Sequence, residues 1–147
     1  MILGINPYFI FDGRGREAIN FYKEALDAEV LGVQTYRDLP ENPETPIPDA
    51  VKDHIIHAYL KIGETDLMIS DTFPGPHQQP LKEGNQVTVA VTMNSVEKSK
   101  EVFEKLKEGG HVTMELDETF FSPAYGQVTD QFNVSWHVST YQGEKNN

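Results

Sequence analysis

His57 and His137 are the side chains in this sequence best suited to chemistry at neutral pH. Each lies in a run whose alternating pattern is typical of a β-strand, and strand parity places each on the more polar face of its run. An imidazole can act as a base, a hydrogen-bond partner or a metal ligand. His57 is therefore our candidate catalytic residue, as the base of a cofactor-free acid–base reaction.

The residues that share these polar faces are small polar, aromatic and amide side chains. They are Asn6, Tyr8, His57, Tyr59, Met68, Ser70, Gln86, Thr88, Ser135 and His137. Such a mixture is typical of a cavity that binds a small molecule. A half-wet sheet face and a dimer interface are the alternatives. We expect Phe121 and Tyr125, from a loop that also holds Phe120, to add aromatic contact area to the ligand site.

The opposite faces of the same runs are apolar, as expected for faces that a helix covers. They carry Phe9, Phe11, Ala58, Leu60, Leu67, Ile69, Val87, Val89, Val134, Trp136 and Val138. In the run 55–62, strict alternation predicts that Ile55 shares the face of His57. Asp71 and Asp130 adjoin strand ends, where they are expected to cap the neighbouring backbone.

The same order of elements occurs twice along the chain. A β-like run over 5–11 precedes an amphipathic helix over 14–26, and a run over 87–93 precedes a helix over 96–108; strand-like runs follow each helix. This order predicts an α+β fold of two βαβββ modules in a single domain, 1–147. The boundaries are module one at about 1–72, a linker at about 73–85, module two at about 86–141 and a tail at 142–147. Asn94 is the predicted N-cap of the second helix.

Between the predicted second and third strands, residues 38–53 contain four prolines and several carboxylates. Prolines this close together prevent both a helix interior and a sheet ladder. We expect a long surface loop, either a lid or contact element or a disordered segment. The linker allows the two modules to pair within one chain or to exchange between two chains.

Composition limits the partners. The net charge of −11 argues against binding to nucleic acid or to an anionic membrane surface, because both would repel the chain. The absence of cysteine rules out disulfides and thiolate chemistry. With neither a long apolar run nor a signal-peptide pattern at the start, we expect a cytoplasmic protein.

Four segments resemble the vicinal oxygen chelate superfamily, which comprises the glyoxalase, bleomycin-resistance and extradiol dioxygenase proteins, and within it the PhnB-like group. They read NPYFIFDG, EAINFYKEAL, IIHAYLKIGETDLMISD and AYGQVTDQFNVSWHVS, and the likeness covers nearly the whole chain. The resemblance implies two βαβββ modules whose curved, mixed sheets enclose a cavity. Some relatives carry a demethylubiquinone methyltransferase label, but the sequence has no glycine-rich strand–helix turn of the kind that holds a nucleotide-like cofactor.

The resemblance also implies where a metal would bind. Metal-dependent members of the superfamily place ligands at positions that correspond here to Asn6, Met68, Gln86 and His137. One imidazole, two amides and a thioether form a poor set for a hard divalent ion. A displaced site built from His57, Gln86 and His137, with Asp71 as a further ligand, is the alternative.

We therefore expect a homodimeric, PhnB-like small-molecule-binding protein without a confident cofactor. The alternatives are a metal-dependent lyase, isomerase or dioxygenase with a displaced site around His57 and His137, and an acid–base enzyme that uses His57.

Overall fold

The computed structural model describes residues 1–73 and 80–143. Within these ranges it contains two four-stranded mixed sheets and two α-helices. The chain divides into two compact units, Met1–Lys82 and Glu83–Asn147, here called module one and module two. Parts of the predicted linker (74–79) and of the predicted tail (144–147) lie outside the described residues. No helix in the described ranges is both long and apolar enough to cross a membrane.

Module one has the order β1, α1, β2, β3, β4, so the predicted βαβββ arrangement is confirmed. Its elements are β1 (Tyr8–Phe11), α1 (Gly15–Leu26), β2 (Glu29–Thr35), β3 (Ile55–Ile62) and β4 (Thr65–Asp71), with short 3-10 helices at Tyr36–Asp38 and Asp49–Val51. The sheet order is β1-β4-β3-β2, with β1 parallel to β4 and the other pairs antiparallel. Helix α1 places Ala18, Ile19, Tyr22, Ala25 and Leu26 in the core, at the spacing of a helix that lies on a sheet.

Asp71, at the end of β4, joins three separate segments of module one. Its side chain is buried; Oδ1 accepts hydrogen bonds from the backbone N–H groups of Gly13 and Gly15, and Oδ2 accepts one from Ile55. A Cβ atom at position 15 would lie 2.8 Å from Asp71 Oδ2, so this approach requires glycine. The carboxylate thus anchors the start of α1 and of β3, rather than capping only its neighbouring backbone as predicted.

Module two repeats the order of module one. Its elements are β5 (Val89–Met93), α2 (Val96–Leu106), β6 (His111–Asp117), β7 (Tyr125–Thr129) and β8 (Ser135–Thr140), in the sheet order β5-β8-β7-β6. The N-cap of α2 is Ser95, whose side chain accepts a hydrogen bond from Lys98 N, so the prediction of Asn94 was wrong by one residue. Asp130 caps its own turn as predicted, accepting from the backbone N–H groups of Phe132 and Val134.

The first strand of each module is shorter than predicted. Strand β1 begins at Tyr8, directly after Pro7, which has no N–H group to donate to a ladder. Strand β5 begins at Val89, and Val87, predicted to be buried, is 85% exposed. Asn6 and Gln86 therefore lie before their strands and not within them.

A bulge in β3 corrects the predicted face of Ile55. Gln34 pairs with His57, whereas the next residue, Thr35, pairs with Ile55, so Ile56 is an extra residue in the ladder. The bulge moves Ile55 to the buried side, where it is fully covered. From His57 onward the predicted alternation holds, with Ala58 and Leu60 buried.

Candidate functional site

The open face of the module-two sheet carries a group of polar side chains around His137. His137 lies on β8, directly opposite Gln127 on β7, and Tyr125 is two residues before Gln127 on the same face. Thr88 is the residue before β5, the strand that pairs with the other side of β8. Tyr125 begins strand β7, so the prediction that it belongs to a loop was wrong.

These four side chains form one hydrogen-bonded chain. Gln127 Nε2 donates to Tyr125 Oη at 3.0 Å. Tyr125 Oη lies 2.5 Å from His137 Nδ1, and His137 Nε2 lies 3.0 Å from Thr88 Oγ1. Both ring nitrogens of His137 are thus engaged by hydroxyl groups of its own module, and the imidazole is held in a single orientation.

Two cavities of module two meet at His137. The larger, of about 530 Å³, has Thr88, Gln127, Ser135 and His137 among its lining residues. The other, of about 370 Å³, is lined in part by Ala90, Phe121, Tyr125 and His137. The linings combine hydroxyl, amide, imidazole and aromatic groups, the composition that orients and covers a small organic molecule.

The loop before β7 supplies the aromatic edge of the smaller cavity. The rings of Phe121 and Tyr125 meet edge to face with centroids 4.9 Å apart, and Phe120 packs on Phe121 at 5.1 Å. Buried Ser122 fixes this loop to β8, because its Oγ accepts a hydrogen bond from Thr140 N at 3.0 Å. Phe120 itself is 86% exposed. Phe121 and Tyr125 therefore lie together beside His137, whereas Phe120 only supports Phe121.

Module one brings together four of the predicted residues on its own sheet. Met68 lies between Tyr8 and Tyr59, its direct partners on β1 and β3. Tyr8 Oη lies 3.2 Å from His57 Nδ1, and the rings of His57 and Tyr59 have centroids 5.4 Å apart. This cluster is more open to solvent than the group around His137, since both tyrosines are exposed.

The predicted metal ligands belong to different modules, and two of them, Asp71 and His137, are already hydrogen-bonded. His57 lies in module one, and Gln86 and His137 lie in module two, so their use as one ligand set remains a prediction. Both carboxylate oxygens of Asp71 accept backbone N–H groups, and both nitrogens of His137 contact hydroxyls. In the described residues no group of three histidine, aspartate or glutamate side chains is arranged to hold a metal ion.

Tyr36 is a buried phenol directly after β2 that the sequence pattern did not single out. Its ring packs on Phe73, with centroids 5.2 Å apart. Burial raises the pKa of the Tyr36 hydroxyl above its ordinary value, and Asp71 and Tyr8 raise that pKa further. Tyr36 also lines a cavity of about 330 Å³ formed by the proline-rich loop.

Gln127 and Thr88 are site residues that the sequence analysis did not select. Gln127 carries a usable signal, since period-2 alternation puts it on the face of Tyr125, which was selected. Its position opposite His137 depends on the pairing of β7 with β8, which local alternation does not specify. Thr88 was assigned to the polar face, but Gln86 was preferred as the site residue of that segment; the structure instead bonds Thr88 to His137.

Comparison with known proteins agrees with this architecture. The family model described as Glyoxalase/Bleomycin resistance protein/Dioxygenase superfamily matches residues 4–138. The crystal structure of protein PA1353 from Pseudomonas aeruginosa is 34% identical, covers 97% of this chain and 100% of its own, and has a TM-score of 0.83.

Two further relatives extend the comparison. Protein YjdN from Escherichia coli (strain K12) is 28% identical over 144 residues, which is 92% of this chain and 93% of that protein. A Bacillus cereus structure described as a putative 3-demethylubiquinone-9 3-methyltransferase, PhnB protein, is 24% identical and covers 92% of this chain and 98% of its own, with a TM-score of 0.73. At that identity the Bacillus cereus protein supports the fold alone.

Proposed function

The chain belongs to the Glyoxalase/Bleomycin resistance protein/Dioxygenase superfamily, and we propose that it is a PhnB-like small-molecule-binding protein whose ligand lies on the open sheet face of module two. The observation that carries this proposal is the hydrogen-bonded chain of Gln127, Tyr125, His137 and Thr88 beside two cavities. Polar groups fixed in this way orient a ligand, and the rings of Phe121 and Tyr125 supply contact area.

The side chains are suited to binding without a metal. The positions that the resemblance assigns to metal ligands are Asn6, Met68, Gln86 and His137, of which only the imidazole is a strong ligand for a hard or borderline divalent ion. A metal on His137 would have to displace Tyr125 or Thr88. We propose that ligand binding does not require a divalent cation, so that a chelator leaves it unchanged.

A pair of variants, His137→Ala and His57→Ala, tests the proposed location. A fragment library is screened by ligand-observed NMR, and the tightest fragment is titrated against both variants. We expect His137→Ala to weaken binding about tenfold, because it removes the centre of the hydrogen-bonded chain. His57→Ala serves as the matched control, since it removes the same side chain from a tyrosine–histidine pair in module one. Weakening by His57→Ala alone would transfer the site to module one.

The homodimer is also a proposal. Ile2, Leu3 and Ile5 are almost completely exposed, and contact with a second copy would remove them from water. Light scattering coupled to size-exclusion chromatography should give twice the chain mass of 16.6 kDa. A mass of 16.6 kDa at micromolar concentration would contradict the dimer but not the binding site.

A further inference from the structure

Building on the proposed function, we propose that the hydrogen bonds of the module-two chain all run in one donor-to-acceptor direction, here called its polarity, which leaves the Thr88 hydroxyl free to donate to a ligand. The site therefore selects ligands through an uncharged acceptor oxygen. A carbonyl or ether oxygen has this chemistry. Gln127 sets the polarity at one end of the chain, and the Thr88 hydroxyl donates a hydrogen bond to the ligand at the other end.

The polarity begins at Gln127. Its amide nitrogen, which can only donate, points at Tyr125 Oη. With the phenol oxygen accepting from Gln127, the single phenol proton is available for the next acceptor, His137 Nδ1. Tyr125 Oη lies 2.5 Å from His137 Nδ1, within reach of that proton. Tyr125 thus donates to His137.

The polarity continues through the imidazole. A neutral histidine whose Nδ1 accepts a hydrogen bond carries its proton on Nε2. His137 Nε2 lies 3.0 Å from Thr88 Oγ1, the usual distance of an N–H···O bond. Thr88 Oγ1 is then the acceptor, and its own proton is left to donate to another group. Because Thr88 is exposed and lines the larger cavity, that group can be a ligand atom.

The charges around the two cavities favour an uncharged partner. The described residues that line them include no lysine or arginine. Glu83 is one of the residues that line the larger cavity, and the whole chain carries a net charge of −11. A carboxylate or phosphonate would therefore find no lysine or arginine as a countercharge and would meet like charge. A neutral oxygen can accept the Thr88 proton without this cost.

The polarity can be tested without any ligand. Two-dimensional ¹H–¹⁵N NMR of histidine rings distinguishes the tautomers, and the His137 signals are assigned by their loss in His137→Ala. We expect the neutral form with the proton on Nε2. Gln127→Glu should reverse the chain, because a carboxylate accepts the Tyr125 proton and Nδ1 must then be protonated. A wild-type proton on Nδ1, or an unchanged tautomer in Gln127→Glu, would overturn the proposed polarity.

The ligand class is tested with benzamide and benzoate, which have the same shape and differ in charge. Titrations followed by backbone amide shifts should show benzamide binding at least about threefold more tightly than benzoate, and Thr88→Val should weaken benzamide by about three- to tenfold, the range of one neutral hydrogen bond. Thr65→Val, an exposed threonine of module one, is the control and should change nothing. Benzoate binding as tightly as benzamide, no benzamide binding, or no effect of Thr88→Val would overturn the ligand class.

The two tests separate this inference from the proposed function. A wrong tautomer refutes the polarity even if fragments still bind beside His137. Conversely, a fragment screen that finds binding only in module one refutes the proposed function, whatever the tautomer of His137.

Discussion

The two modules share one backbone plan and differ in the side chains at equivalent places. Phe11 pairs with Asp71 in module one, and Met93 pairs with Thr140 in module two. Met68 and His137 each lie three residues before these strand ends, so they occupy equivalent positions in the two sheets. The repeat therefore places a thioether in one sheet where the other has an imidazole.

The neighbours of these central residues differ as well. Met68 is flanked by Tyr8 and Tyr59, whereas His137 is flanked by Ala90 and Gln127. A tyrosine side chain fills the space beside Met68, and the alanine leaves space beside His137, where the smaller cavity lies. The repeat thus fixes the positions of the side chains, while their size and polarity differ between the two sheets, and it is this difference on which the proposed module-two site rests.

The largest difference in stability should come from the strand ends, Asp71 and Thr140. Asp71→Asn replaces a carboxylate oxygen that accepts backbone N–H groups with an amide nitrogen that cannot accept, and we expect a loss of about 3 kcal/mol in the free energy of unfolding. Thr140→Val removes a hydroxyl contact to Ser99, which keeps the Ser95 carbonyl as a partner, so about 1 kcal/mol should be lost. Urea unfolding measures both values.

The control for this pair is Asp12→Asn, which alters an exposed carboxylate that accepts from Thr72. It should change the free energy of unfolding by less than about 0.5 kcal/mol. Equal losses for Asp71→Asn and Thr140→Val would show that the carboxylate is no more important to module one than the hydroxyl is to module two.

Copying the module-one arrangement into module two should block the site. Ala90→Tyr places an aromatic ring beside His137, so we expect at least about a tenfold loss of benzamide affinity, or about 1.4 kcal/mol. The reciprocal change, Tyr8→Ala, opens the equivalent place in module one and should leave that affinity unchanged. Wild-type affinity in Ala90→Tyr would mean that the space beside His137 is not used by the ligand.

The smallest predicted effect is on the stability of module one at alkaline pH, and it comes from Tyr36. Because the pKa of Tyr36 is raised in the folded chain, the unfolded chain releases this proton first as the pH rises. The contribution of Tyr36 to the free energy of unfolding is therefore fully present below about pH 10, the ordinary tyrosine pKa. It is lost as the pH rises through the pKa that Tyr36 has in the folded chain. Between neutral and alkaline pH, the free energy of unfolding measured in urea should fall less for Tyr36→Phe than for the wild type. The same pH dependence in both proteins would be inconsistent with the raised pKa.

The sequence predicted those features of the molecule that depend on local periodicity. The apolar stripe of α1 and the alternation in β3 from His57 onward gave the element order and the open faces. The bulge at Ile56, the partners of Asp71 and the contact of Thr88 with His137 depend on how distant segments pair, and no local pattern encodes that register. The candidate site was therefore predicted only in part: His137 and Tyr125 were selected, and Gln127 was not.

Amide chemical-shift mapping of ¹⁵N-labelled protein titrated with benzamide tests most directly whether module two holds the ligand. We predict that the largest shifts fall on Thr88, Gln127 and His137, and that Tyr8 and His57 remain unperturbed. Shifts concentrated on Tyr8 and His57, with none on module two, would contradict the assignment of the binding site to module two.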